Sequence, residues 1–271
     1  MALLLWRNNP AVVIGRHQNP WMEANLNYLL DNSISLCRRH SGGGTVYHDT
    51  GNLNISILTT HKNHNRRFNL DLIADSLNAN LGTEIIRNVR DDLLLEPGSR
   101  KISGTAARIS HGRAYHHFTL LVDVCKYRLS QALKSPNKAM ISTNATLSVP
   151  AKAVGFLKEE VEDIQIDRIE QVLIDAFQSK CDDVVLSPIE SISNRTFDGV
   201  EENLKLLQSW EWIYGKSPKF SFMPNMGQKQ EVVEVENGVI IQSSSPNFLL
   251  GDHFSLDSSS HDFACNRLLR F

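Results

Sequence analysis

The chain has 271 residues, room for one large domain and a small one. Apolar residues make up 41% and charged residues 21%, with a formal net charge of -2, a globular composition that carries no electrostatic footprint for nucleic acid. The apolar run Leu3–Trp6 is far short of the ~20 residues that a membrane span needs.

Cys37, Cys125, Cys181 and Cys265 are widely spaced and contain no C-x-x-C pair. This argues against a zinc site and a disulfide framework, and reads as free thiols in a reducing compartment. The chain enters a strand at once, with Leu3 to Trp6, so no transit or signal peptide is visible.

In chain order, Val12-Val13-Ile14 predicts a short buried strand stopped by Gly15. Asn19 predicts a helix N-cap with Pro20 in the first helical position, and Met22, Leu26, Leu29 and Leu30 follow at helical spacing. A glycine-rich loop at Ser41 to Gly44 then lies between that helix and a strand. Leu53, Ile55 and Ile57 alternate with polar residues, as in a half-buried strand. Leu70, Ile73, Leu77 and Leu81 form one helical stripe, with Gly82 as C-cap. Leu93-Leu94-Leu95 and Lys101-Ile102 read as two strands around a tight turn at Glu96 to Ser99. Tyr115 to Val124 is a further strand, and Ile166, Ile169, Leu173 and Phe177 mark a second amphipathic helix. A boundary is expected near Gly215 to Pro218, dividing residues 1–215 from a small C-terminal domain, 216–271. Beyond it, Asn237-Gly238 between Val232–Val235 and Val239–Ile241 signals a hairpin with a type I′ turn. The serine-rich tail from Ser243 reads as weakly ordered. The mixed element order gives an α/β (α+β) fold with a central sheet.

The densest chemical signal is Arg38-Arg39-His40-Ser41-Gly42-Gly43-Gly44-Thr45-Val46-Tyr47. Consecutive glycines let the backbone come close to a ligand, and their amides can form a nest for an anion. The preceding arginines can add forked, charge-assisted hydrogen bonds to phosphate. The loop lacks the Gly-Lys-Ser/Thr of a Walker A motif and is not G-x-G-x-x-G. A bare triglycine is otherwise a linker.

Lys101 opens a segment of small residues, Ser103-Gly104-Thr105-Ala106. A lysine held in a cleft neutralises a phosphate and stabilises charge developing on an attacked carbonyl oxygen. A lysine after a turn is otherwise a solvated surface residue. On the strand beyond, His116 and His117 face opposite sides. One reads as a core or pocket residue and the other as satisfied by hydrogen bonds. Without H-E-x-x-H or further ligands, no metal site is expected. Thr119 can present a hydroxyl to a pocket, and Asn144-Ala145-Thr146 reads as a polar turn.

Taken in order, Gly15 to Trp21, Arg38 to Asn52, Arg90 to Leu94, Lys101 to Ala106, His116 to Leu121 and Trp210 to Gly215 resemble the lipoate–protein ligase A and lipoyltransferase family. In Gly44 to Asp49, Ser142 to Thr146 and Gly215 to Phe220 it looks closer to the animal mitochondrial lipoyltransferases than to the bacterial ligases. The resemblance implies a biotin/lipoate ligase-type catalytic domain with a small C-terminal domain. It implies lipoyl-AMP as donor substrate, no tightly bound cofactor, and a mitochondrial matrix location. As acceptors it implies the lipoyl domains of 2-oxoacid dehydrogenase E2 subunits and the glycine-cleavage H protein. By motif, Arg39, Gly42, Gly43, Gly44, Thr45, Val46 and Tyr47 match the nucleotide-contacting loop. Lys101 matches the lysine that touches lipoyl carbonyl and phosphate, and Arg90, Thr119 and Thr146 match positions near lipoyl-AMP. The chain departs from the family pattern in lacking a strand and helix before Leu3, in a short C-terminus, and in carrying Asp91 where bacterial ligases have asparagine.

Three other readings compete with transfer from lipoyl-AMP. One is a complete ATP- and Mg-dependent ligase. Another is an octanoyltransferase, which needs a nucleophilic cysteine near the lysine. The third is a non-catalytic module that binds nucleotides or lipoyl domains.

Overall fold

A computed structural model describes residues 1–180, 185, 187, 189, 193, 195, 197–224 and 231–256. Its strands are β1 (Ala2–Arg7), β2 (Ala11–Ile14), β3 (Ser35–Arg38), β4 (Val46–His48), β5 (Asn52–Thr60), β6 (Ile85–Arg87), β7 (Leu93–Leu95), β8 (Arg100–Lys101), β9 (Ser103–Ser110), β10 (Arg113–Leu121), β11 (Ile141–Thr143), β12 (Phe220–Phe222), β13 (Val233–Glu236) and β14 (Val239–Ser243). Its α-helices are α1 (Pro20–Glu23), α2 (Leu26–Asp31), α3 (Arg66–Leu81), α4 (Lys126–Ala132), α5 (Ile166–Gln178), α6 (Val200–Gln208) and α7 (Trp210–Ile213). Contacts divide the chain into two compact units that alternate along the sequence. The first comprises residues 1–9, 48–126 and the described residues of 149–188; the second comprises 10–47, 127–148 and the described residues from 189 onward.

The first unit is built on an antiparallel sheet in the order β1-β5-β10-β9. One row of side chains, including Leu53, Ile55, Ile57, Phe118 and Leu120, packs with the stripes of α3 and α5 into one core. These are the apolar positions that helical and strand periodicity select, and Gly82 caps α3 at φ 68°. The opposite row of β5 is not half-buried as its polarity predicts. Asn52, Asn54 and Ser56 are at most 6% exposed. The asparagine amino groups are partnered: Asn52 Nδ2 donates to Asn54 Oδ1 at 3.2 Å, and Asn54 Nδ2 to Trp6 O at 3.3 Å. A second small sheet, β6-β7-β8, carries the expected tight turn.

The second unit holds two further sheets, β3-β2-β4 and β11-β12-β13-β14. Strands β2 and β3 are parallel. The structure therefore places the glycine-rich loop between two strands, β3 and β4, rather than after a helix. Strand β3 escapes the periodicity because Arg38 ends it and is itself buried, 1% exposed. The helix expected after Asn19 is broken in two. Asn19 Oδ1 accepts from Met22 N and starts α1, but Asn25 Oδ1 accepts from Tyr28 N and starts α2. Asn237 and Gly238 have φ of 53° and 75°, as a type I′ turn requires.

The tail also departs from expectation. Ser243 closes β14, and beyond it Phe254 is 2% exposed, with its N–H donating to Gly238 O at 2.8 Å. Its ring meets Trp21 edge-on at 5.2 Å and Phe220 at 5.1 Å. Serine content hides this aromatic anchor; residues 257–271 lie outside the described residues. Phe254→Ala is expected to lower unfolding stability by about 3–5 kcal/mol, read from denaturant midpoints, through lost burial and a cavity beside Trp21.

Candidate active site

The residues singled out by sequence divide between the two units. Arg39, Gly42 to Tyr47 and Thr146 belong to the second, and Arg90, Lys101 and Thr119 to the first.

In the second unit the loop is shaped by the two arginines before it. The buried Arg38 guanidinium meets carbonyls and a hydroxyl. It donates to Gln18 O at 2.7 Å, Arg16 O at 2.9 Å, Ile213 O at 2.6 Å and Ser217 Oγ at 3.0 Å. Burial, helped by the charge of Arg16, pulls its pKa down to about 10. The side chain thus ties the turn before α1 to the end of α7. Trp212 Nε1 donates to Arg38 O at 2.7 Å, and the Arg16 guanidinium lies 4.9 Å from the Trp212 ring centroid.

Arg39 donates inward to the loop, to Val13 O at 3.0 Å and to Gly42 O and Gly44 O, each at 2.7 Å. A trans peptide is planar, with its C=O and N–H on opposite sides. Drawing the carbonyls of Gly42 and Gly44 to the guanidinium therefore turns the amides of Gly43 and Thr45 away from it. Gly43 adopts φ 90°, a region that favours glycine. Its carbonyl would lie 2.0 Å from a Cβ placed on Gly15.

A polar brace backs the loop. Gln18 Oε1 accepts from Gly15 N at 2.8 Å and from Thr45 Oγ1 at 2.9 Å, and Gln18 Nε2 donates to Ser148 Oγ at 3.0 Å. Ser148 Oγ also accepts from Thr45 N at 2.8 Å, while Ser148 N donates to buried Glu23 Oε1 at 3.1 Å. Thr146 N donates to His17 O at 3.1 Å, which brings its exposed side chain beside the same turn. Val46 is half-buried and Tyr47 only 2% exposed. The Cys37 thiol, one residue before Arg38, is pushed up to about 11 by burial, which opposes thiolate formation.

In the first unit Lys101 is fixed by backbone on both sides. Its N–H donates to Ala153 O at 2.9 Å and its C=O accepts from Gly155 N at 3.0 Å. Its Nζ lies 2.6 Å from Asp92 Oδ1. Thr119 stands opposite Asn54 on one side and Gly104 on the other, and its hydroxyl accepts from Gly104 N at 2.9 Å. Arg90 is exposed, with its backbone N–H donating to Asn88 Oδ1 at 2.8 Å. Asp91, at φ 60°, gathers Arg87, Arg66 and Arg67 at 3.4, 3.7 and 3.8 Å.

His116 is the core histidine of the pair, fully buried, with Asn69 Nδ2 donating to its Nδ1 at 3.3 Å. Burial, and then the nearby Arg66, His64 and His117, lower its pKa to about 3. An unfolded histidine titrates near 6.5. Below that pH the unfolded chain binds a proton that the folded one refuses, so stability falls as pH drops from about 6.5 towards 3. The slope from this group is at most about 1.4 kcal/mol per pH unit. Denaturant midpoints at pH 6.5 and 5 should converge more in His116→Phe than in the native protein; equal slopes would remove His116 as the cause.

Sequence reasoning gave no role to Gln18, Glu23, Asp92 or Ser148. An acidic pair nine residues before a strand lysine was the one readable signal, for Asp92. Among the described residues there is no group of three or more His, Cys, Asp or Glu side chains placed to hold a metal, and no helix long and apolar enough to cross a membrane.

Comparison with known proteins bears on this geometry. The lipoyl protein ligase A/B catalytic domain profile matches residues 1–178. The chain is 42% identical over 245 residues to the mitochondrial lipoyl amidotransferase LIPT1 of Homo sapiens, covering 88% of this chain and 64% of that protein. It is 37% identical over 224 residues to lipoate-protein ligase A of Bdellovibrio bacteriovorus, covering 81% and 65%. The chain thus spans somewhat under two thirds of the length of these relatives. Among solved structures, P. falciparum LipL1 in complex with lipoate superposes with a TM-score of 0.67 at 28% identity, covering 88% of this chain and 69% of that one. The bi-partite lipoate protein ligase of Thermoplasma acidophilum, solved with its E2 lipoyl domain, gives 0.65 at 26%, covering 79% and 84%. A lipoate-protein ligase A bound with ATP gives 0.64 at 26%, covering 79% and 85%. With the profile match reaching across β1 to the end of α5, the chain belongs to the lipoyl protein ligase A/B catalytic domain family.

Proposed function

We propose that this protein is a lipoyltransferase that moves the lipoyl group of lipoyl-AMP to a lysine of a lipoyl domain. The observation that carries this reading is the set of Arg39 to the carbonyls of Gly42 and Gly44, which turns the Gly43 amide outward as a donor for a phosphate and gives the Thr45 amide to Ser148. Lys101 is the group read as acting on the carbonyl. An ammonium has three N–H donors. Asp92 occupies one, which leaves two, enough to meet the lipoyl carbonyl oxygen.

In the proposed reaction the acceptor ammonium first loses a proton to give a free amine. Its nitrogen attacks the acyl carbonyl carbon, and charge builds on the oxygen beside Lys101. The carbonyl re-forms as the bond from carbon to the phosphate oxygen breaks and AMP departs. The nitrogen sheds its second proton and an amide remains. This is positioning plus electrostatic stabilisation, with no covalent intermediate on the protein. The raised pKa of Cys37 gives no support to a thiolate route.

The acceptors proposed are lipoyl domains of 2-oxoacid dehydrogenase E2 subunits and the glycine-cleavage H protein. The archaeal relative solved with its E2 lipoyl domain supports the first of these. A mitochondrial location is proposed from relatives so named. A complete ligase is the second reading, favoured by the relative bound with ATP. Mass spectrometry of a lipoyl domain decides between them. A mass gain with lipoyl-AMP but not with lipoate, ATP and Mg is the expected result. A gain in both selects the ligase, and a gain in neither overturns both.

A further inference from the structure

Ser148 holds an unusual position behind the glycine loop. Its Oγ accepts two hydrogen bonds, from Thr45 N at 2.8 Å and Gln18 Nε2 at 3.0 Å, and its backbone N–H is fixed on Glu23 Oε1 at 3.1 Å. A serine hydroxyl has two lone pairs and one proton. Both lone pairs are occupied, and among the described residues the proton has no acceptor. The hydroxyl cannot rotate without giving up bonds it already makes, so its proton has a set direction.

That oxygen lies on the side to which the loop amides turn. Arg39 takes the carbonyls of Gly42 and Gly44, so the Thr45 N–H emerges opposite and reaches Ser148. A Cβ at Gly44 would stand 3.2 Å from Ser148 Oγ, so glycine there lets the serine come close.

We propose that Ser148 is a ligand-contacting residue of the anion site, its hydroxyl donating to a phosphate oxygen of the nucleotide held by the glycine loop. Gln18, bonded to both Ser148 and Thr45, keeps that donor aimed. The proposal deepens the reading of this loop as the phosphate site and rests on it.

Calorimetric titration of the full chain with AMP, and with adenosine as the same nucleoside without phosphate, tests it. The native protein should bind AMP more tightly than adenosine. Ser148→Ala should weaken AMP about 10- to 100-fold, the range for a hydrogen bond to a charged group, and leave adenosine unchanged. Ser148→Thr keeps the hydroxyl and should stay within about threefold of native, set against the roughly tenfold minimum cost of losing such a bond. A Ser148→Ala protein that retains the native preference for AMP, or that weakens both compounds equally, overturns the role of Ser148 while leaving the loop reading intact. A native protein that does not distinguish AMP from adenosine overturns the loop reading and this proposal with it.

Discussion

Lys101→Ala is expected to lower lipoyl transfer from lipoyl-AMP about 10²- to 10³-fold, the usual consequence of removing one preorganised donor from a developing oxyanion. The side chain is suited to such a role because little is left to move. Backbone bonds to Ala153 and Gly155 fix its strand, β8, and Asp92 holds the ammonium at 2.6 Å. The lysine side chain is 29% exposed, so truncation leaves no large cavity. It does strand the carboxylate of Asp92, and the fold of the variant is checked by its thermal transition. Transfer kinetics with saturating lipoyl domain decide the matter. A folded variant with near-native kcat would end the assignment of Lys101. If kcat falls as expected, Asp92→Asn should give a smaller loss, since the ammonium remains but loses its tether.

Gly15→Ala should be comparably damaging, although Gly15 contacts no ligand in the proposed reaction. An added Cβ would lie 2.0 Å from Gly43 O, 3.1 Å from Gly43 C and 3.2 Å from Gln18 Oε1. The first distance is shorter than any real contact, and the atom it meets is backbone. Gly43 must therefore shift by about an ångström, a displacement that costs on the order of 10²-fold where reacting groups are aligned. Gly42→Ala is the matched control, because a Cβ there meets nothing within 4 Å. Transfer by the two variants under identical conditions should differ by more than tenfold, set by that ångström-scale shift. Equal activities would mean that the close approach of Gly15 to the loop is unimportant.

The sequence was most legible where one local rule acts alone. The stripe Leu70, Ile73 and Leu77, the row Leu53, Ile55 and Ile57, the Asn237-Gly238 turn and the capping by Asn19 all follow from periodicity or from a residue's own chemistry. The glycine loop was legible as a motif, and Lys101 gained weight from its small neighbours and from resemblance. What stayed hidden depends on partners distant in sequence. Arg38 reads as a phosphate ligand beside Arg39, but it is buried and its guanidinium is spent on protein acceptors such as Ile213 O and Ser217 Oγ. Gln18 and Ser148 are ordinary polar residues until the chain brings them within 3.0 Å. The break between α1 and α2 was hidden for another reason: the apolar spacing continues across Asn25, whose side chain caps a second helix instead of continuing the first.

Strand β11 has its partner far along the chain, with Thr143 paired to Phe220 and Ile141 to Phe222. During synthesis, at about 5–20 residues per second, β11 leaves the ribosome several seconds before β12 exists. For that interval the nascent polypeptide carries an unmatched edge, and the aromatic ring of Trp21 waits without Phe220 and Phe254. Assembly of this sheet is therefore a late event in synthesis, after a stretch in which the nascent edge is open to wrong partners.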